Sequence, residues 1–285
     1  MKLVYILISC LIILHLCGCE NKEPKSYNFT LESIQAKSDF YCIASPPIEE
    51  LSNRCDKLTF HGMFDAFCRR SNIYDHEWNP GEWHRDYKEC YPDDSRSEIS
   101  TEGILSALIA MFERGDYDKI QDFWDYMERN DWVAGVGPEK YTKMLQLKAL
   151  IKEIMEKHGI KLQNHAKVLR YAAESSDSSI GYRGNVLAFY IFIHGYSLGY
   201  IESWHLKLLK ELAKEVPQSP FYQALVGCYD WSENYQIALN ILGDEEMFPS
   251  DRIPENINEG LWDWSDSPQI PLFAMTRRVL EHCHE

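Results

Sequence analysis

The sequence predicts an all-α protein, and three observations carry that expectation. After residue 53, apolar residues recur at helical spacing through most of the chain. Polar N-caps open these stretches, and glycine or proline closes them. No sustained alternation of strand-forming residues interrupts the pattern.

Phe60, Met63, Phe64, Phe67 and Cys68 fall on one face of a first helix. An irregular stretch follows over 71–94, broken by Pro80, Gly81 and Pro92. Ser95-Arg96-Ser97-Glu98 has the form of a capping box. Ile104, Leu105, Leu108, Ile109 and Phe112 then form an apolar face. Gly115-Asp116 ends that helix and starts the next, which carries Ile120, Phe123, Trp124 and Met127 at i, i+3, i+4 and i+7. Residues 98–129 therefore read as an αα-hairpin with a very short turn.

Further helices are expected over 139–157, ended by Gly159, and over 165–174. Residues 184–198 are apolar nearly all round, as a buried helix is. Amphipathic segments follow over 205–216, 221–229 and 233–242, then a proline-marked loop over 247–254 and a last helix over 270–282. These sum to about ten helices joined by short turns, which must bury their faces on sequence neighbours. The helix pairs share no fixed repeat length, which argues against a regular solenoid. The expected architecture is an irregular αα-hairpin array, with an α/α toroid as its closed form.

The first residues point to a location. Met1-Lys2 is a short positive start, and Leu3–Leu16 is apolar apart from Ser9, Cys10 and His15. That run falls short of the roughly 20 apolar residues of a membrane span and has the layout of an export signal. Its exit, Leu16-Cys17-Gly18-Cys19, resembles the lipobox of bacterial lipoproteins. The resemblance implies cleavage after Gly18, a diacylglycerol thioether on Cys19 and an acyl chain such as palmitate on the new N-terminus. Cys17 would be discarded with the signal. Glu20, where a retention signal would carry Asp, implies the outer membrane, facing the periplasm. The expected organisation is a signal peptide over 1–18, a lipidated tether and irregular segment over 19–52, and a globular domain over 53–285.

Without residues 1–18 the chain keeps 267 of its 285 residues, enough for a sizeable core. Apolar residues make up 45%, which excludes global disorder. The net charge of −15, more negative still without Lys2, excludes a nucleic-acid partner and attraction to anionic lipid headgroups. Beyond Cys19 stand Cys42, Cys55, Cys68, Cys90, Cys228 and Cys283. An exported chain meets oxidising conditions, so these are expected to pair, in one of fifteen ways. Their spacing matches no tight zinc knuckle, and neither metal nor cofactor is expected.

Candidate chemistry concentrates in Trp78–Glu102. Trp83, His84, Arg85 and Arg96, with Trp132 further on, are candidate binding residues, since indole faces cover sugar rings while charged groups bond hydroxyls. Asp86, Glu98, Glu102 and Asp131 are candidate catalytic carboxylates, because glycoside cleavage uses a pair across a cleft. Glu98 and Glu102 share a helix face at i and i+4. The competing reading makes the same residues caps, plugs and ion pairs.

The helix over 56–69, the loop Trp83-His84-Arg85-Asp86, the capping box and Asn130-Asp131-Trp132 before Gly135-Val136-Gly137 together resemble α/α-toroid proteins of the six-hairpin glycosidase type. The resemblance covers residues 55–140. It matches no catalytic position of a defined family, so it implies a fold and not a reaction. Arg114-Gly115-Asp116 and Gly195-Tyr196-Ser197-Leu198-Gly199 formally match an adhesion tripeptide and a nucleophile elbow, but both fall in helical contexts. Two expectations result. The first is a membrane-anchored envelope lipoprotein whose helical domain binds a protein or glycan. The alternative is a carbohydrate-active hydrolase or lyase.

Overall fold

The computed structural model describes residues 29–44, 62, 66–68, 72–84, 99, 101–134, 142–143, 145–160, 182–251 and 269–283. The fold is all-α. The described helices are α1 (Leu31–Ala44), α2 (Thr101–Arg114), α3 (Tyr117–Arg129), α4 (Leu145–Lys157), α5 (Tyr182–Leu198), α6 (Ser203–Glu215), α7 (Pro220–Asp230), α8 (Asn234–Gly243) and α9 (Gln269–His282). A 3₁₀ turn over Ile73–His76 leads into a small antiparallel hairpin, β1 (Glu77–Asn79) and β2 (Glu82–Trp83). A second two-stranded ladder pairs β3 (Val133–Ala134) with β4 (Thr142–Lys143).

Consecutive helices pack on one another from α2 to α9. Longer-range contacts make two groups. α5 returns to α2, so α2, α3, α4 and α5 form a closed circuit. In the second group α7 touches α6, α8 and α9, while α1 packs on α8 and α9. α5 joins the groups by touching α6 and α9.

The most central helices are apolar on every side. In α2, residues 103–111 are all buried, and in α5 residues 188–193 are. In α7 the buried run extends over 220–228. Each fully buried Leu, Ile or Phe in these runs contributes about 1.5–3 kcal/mol. Ser219 caps α7 by accepting from the Tyr222 N–H at 3.4 Å, with Pro220 at the first helical position. Gln223, buried in α7, donates to Ala213 O at 3.0 Å and Pro217 O at 3.1 Å, and accepts from Asn234. One side chain thus satisfies carbonyls at the end of α6 and ties in α8. Gly227 lets α8 approach closely: a Cβ there would lie 2.2 Å from Tyr235 N.

The principal correction lies at the front. The sequence places 31–44 in an irregular segment before a domain starting at 53, but α1 is a helix docked in the core. Its inward positions are Ile34, Lys37, Ser38 and Tyr41, all buried at i, i+3, i+4 and i+7. Two of the four are polar, so no apolar stripe announces the helix. Lys37 is 6% exposed. Its ammonium donates to Leu242 O at 3.3 Å, Gly243 O at 3.4 Å, Phe248 O at 2.6 Å and Glu245 Oε1 at 2.9 Å. The Leu242 and Gly243 carbonyls end α8, where cations are favoured, and Phe248 lies in the turn beyond it. Tyr41 adds a hydrogen bond to Pro249 O at 2.6 Å and an edge-on contact with Phe273 of α9.

Among the described residues, two disulfides complete the frame. Cys42–Cys68 ties the end of α1 to the segment ahead of the hairpin, and Cys228–Cys283 ties α7 to the turn after α9. Cys55 and Cys90 lie outside the described residues, as does the helix expected over 165–174. The Cys228–Cys283 bond closes a separation of 55 residues. Replacing both cysteines by alanine is expected to lower stability by about 2–4 kcal/mol, chiefly by freeing the unfolded chain. Urea denaturation at neutral pH measures this as a lower transition midpoint.

Candidate functional site

The hairpin β1–β2 carries the aromatic residues that the sequence singles out. Gly81 at its turn has φ +77°, and a Cβ there would lie 2.0 Å from Asp122 O of α3. Glycine therefore lets the hairpin sit directly on the α3 backbone. The Glu77 carboxylate accepts from the Gly81 N–H at 2.8 Å and pairs with Lys119 of α3 at 2.6 Å, fixing the turn from both sides. His84 N–H donates to His76 O at 2.9 Å, extending the ladder.

The described binding candidates, Trp83, His84 and Trp132, lie inside the protein. Trp83 is 3% exposed and packs near Tyr74, with ring centroids 5.9 Å apart. His84 is buried, stacks on Trp78 at 3.7 Å and lies 3.2 Å from Glu82 Oε1. Trp132 is 2% exposed; it meets Trp124 edge-on at 5.0 Å and donates from Nε1 to Glu128 Oε1 at 2.7 Å. Lys148 of α4 pairs with Glu128 and lies over both indoles, 5.6 and 5.4 Å from their centroids. The faces of Trp83 and Trp132 are thus covered by protein and offer no platform for a sugar ring.

Asp131 is exposed at the end of α3. It and Trp132 adopt left-handed backbone, φ 52° and 58°, and the Trp132 N–H closes the helix by donating to Met127 O at 2.8 Å. Glu102 falls in the first turn of α2, its side chain beyond what is described. Arg85, Asp86, Arg96, Glu98 and Cys19 lie outside the described residues. The adhesion-like tripeptide is a helix junction, with Gly115 at φ +73° and Asp116 accepting from the Tyr74 hydroxyl. Burial and then Asp116 push that phenol up. Ser197 sits within α5, so no strand leads into the elbow-like match.

Two polar clusters escape sequence reasoning. At the junction of α2, α5 and α9, Arg278 grips Glu113 through Nε at 3.2 Å and Nη2 at 3.3 Å, and donates to the Tyr196 hydroxyl at 2.6 Å. Burial, followed by Glu113, raises the Tyr196 phenol to about 12 against the opposing Arg278. The other cluster lies where α5 turns into α6. His194 Nδ1–H donates to Tyr200 O at 3.0 Å, and His194 Nε2 lies 3.8 Å from Glu153 of α4. His205 belongs to a capping box with Glu202, its Nδ1 accepting the Glu202 N–H at 3.2 Å. The two imidazoles meet edge-on, 5.1 Å apart. The only sequence signal was a histidine three residues after an acidic N-cap.

Because Nδ1 of His205 must accept, the neutral ring carries its proton on Nε2, which is buried without a hydrogen-bond partner. Adding a second proton would set donor against donor at the cap. Burial, and secondarily His194, push the His205 pKa down to about 4. Among the described residues, no group of three or more His, Cys, Asp or Glu side chains is arranged to hold a metal ion. In the first cluster the largely buried Glu113 carboxylate faces the Arg278 guanidinium, an arrangement that suits a rigid scaffold.

No family model matches the chain, and no curated protein or solved structure matches it either.

The cap makes stability depend on pH. The unfolded histidine titrates near 6.5 and the folded one near 4, so the unfolded state alone gains a proton between those values. Stability is full above pH 6.5 and falls as pH drops toward 4, by up to about 3 kcal/mol. Glutamine at this position keeps the reciprocal bond without titrating. Urea titrations at pH 7 and pH 4.5 should show a smaller loss in His205→Gln than in the parent protein.

Proposed function

We propose that this chain is an exported lipoprotein of the bacterial envelope, held to the membrane by lipid on Cys19 and presenting a helical binding domain outside the cytoplasm. The observation that carries the reading is the placement of Cys19 after Gly18, at the end of the apolar run Leu3–Leu16. Sulfur is the atom through which the diacylglycerol attaches, and several chains together give stable anchoring. The pairs Cys42–Cys68 and Cys228–Cys283 suit an oxidising compartment. Among the described residues no helix is long and apolar enough to cross a membrane. Glu20 favours the outer membrane with the domain facing the periplasm.

The partner is an envelope protein or glycan. The net charge of −15 favours partners without strong negative charge. A glycan-cleaving activity gains nothing from Trp83 and Trp132, whose faces are covered.

The test is metabolic labelling with palmitate, combined with mass measurement of the mature N-terminus. The wild-type chain should take up label and begin at a lipidated Cys19. Cys19→Ser should take up none and keep residues 1–18. Labelling and processing of Cys19→Ser like wild type, or an unlabelled wild-type chain, would overturn the reading.

A further inference from the structure

A lipid anchor fixes more than location, because the tether is short relative to the body. Cys19 and Phe29 are separated by 10 residues, a reach of at most about 35 Å at full extension. A compact body of the 257 residues 29–285 has a diameter of about 45–50 Å by the size scaling of folded domains. The body therefore cannot turn the Phe29 side fully away from the bilayer.

Phe29 lies along α8. Its carbonyl accepts from Gln236 Nε2 at 3.1 Å, and its ring lies against Gly243, where a Cβ would come within 2.3 Å. Helix α8 spans 10 residues, about 15 Å at 1.5 Å per residue. Trp231, just before its start, is 82% exposed and held in left-handed backbone at φ 49°. Ile237, on α8 itself, is 37% exposed. The largest exposed aromatic among the described residues thus stands beside the helix on which the tether emerges.

We infer that the end of the body formed by the start of α8 and Trp231 is the membrane-facing surface, with the Trp231 indole seated at the boundary between headgroups and acyl chains. Indole suits that boundary because its apolar ring and single N–H partition to opposite sides of it. Charge does not provide the attraction. Lys210 nearby is paired with Asp230 at 2.8 Å, and Glu233 adds negative charge. The seated surface is therefore a neutral or zwitterionic one, and the contact resists salt. This inference rests on the lipidation of Cys19.

The test uses the full lipidated protein reconstituted into phosphatidylethanolamine–phosphatidylcholine vesicles whose acyl chains are brominated near the headgroup. Bromine quenches tryptophan fluorescence only at short range. The expected result is quenching of the wild-type protein, most of which is lost in Trp231→Ala. Salt should not change it. The substitution is at an exposed position, so an unchanged circular dichroism spectrum and melting temperature should accompany the loss. Equal quenching of the two proteins while both stay bound would overturn the membrane-facing surface and leave the anchor standing. Concentration-dependent shielding of Trp231 from aqueous acrylamide without bromine quenching would also overturn it, and would assign the surface to a second copy. A protein lacking lipid on Cys19, and failing to bind the vesicles, would remove the anchor and this inference together.

Discussion

One buried ammonium group holds the front of the chain to its back. Moving an ammonium from water into a protein interior costs several kcal/mol unless its hydrogen bonds are replaced. Lys37 finds three main-chain carbonyls and the Glu245 carboxylate, all from the end of α8 and the turn beyond it. Glu245 in turn is fixed by Ser250, whose N–H and hydroxyl donate to it at 2.7 and 2.6 Å. The arrangement serves both sides, since the carbonyls ending α8 need donors and Lys37 needs acceptors. Met could fill the same space but not satisfy those oxygens. Tyr41 and the Cys42–Cys68 disulfide extend the attachment along α1. In the proposed lipoprotein, a loose α1 would leave the tether ending on an unfastened segment and the body without a defined orientation at the membrane.

The remaining architecture is a division of labour between apolar centres and polar edges. Helices α2, α5 and α7 are buried nearly all round, so their hydrophobic runs dominate stability. Polar groups enter where helices end or cross. Gln223 closes α6, Arg278 joins α9 to α2 and α5, and His205 opens α6. Such groups are costly when half-satisfied, so each fixes one relative position of two elements. Specificity of packing comes from these edges, burial energy from the centres.

The helices were legible wherever one face or all faces are apolar. The αα-hairpin of α2 and α3 stands where Gly115-Asp116 places it, and α5 is the buried helix its composition announces. Legibility failed where polar residues do the packing. Helix α1 hid because Lys37 and Ser38 occupy inward positions that a periodicity test expects to be apolar. The aromatic cluster misled for the converse reason. Trp83 and Trp132 look like ligand platforms in sequence, yet an indole serves equally well to cover a helix end. For Trp83 the outcome depends on the hairpin docking onto α3, whose local sign is Gly81, and for Trp132 on the packing of Trp124 and Lys148. Asp86 and Glu98 lie outside the described residues, and the catalytic reading that names them stands where the sequence left it.

The attachment of the front of the chain therefore turns on whether Lys37 fastens α1 to α8. Hydrogen exchange followed by mass spectrometry on wild-type protein and Lys37→Met tests it most directly. With the ammonium gone and the carbonyls left unpaired, the loss is about 2–4 kcal/mol. Exchange should speed up in 31–44 and 242–250, while α2 and α3 keep their protection. Identical exchange of the two proteins across 31–44 would show that α1 holds without Lys37, and would contradict the account.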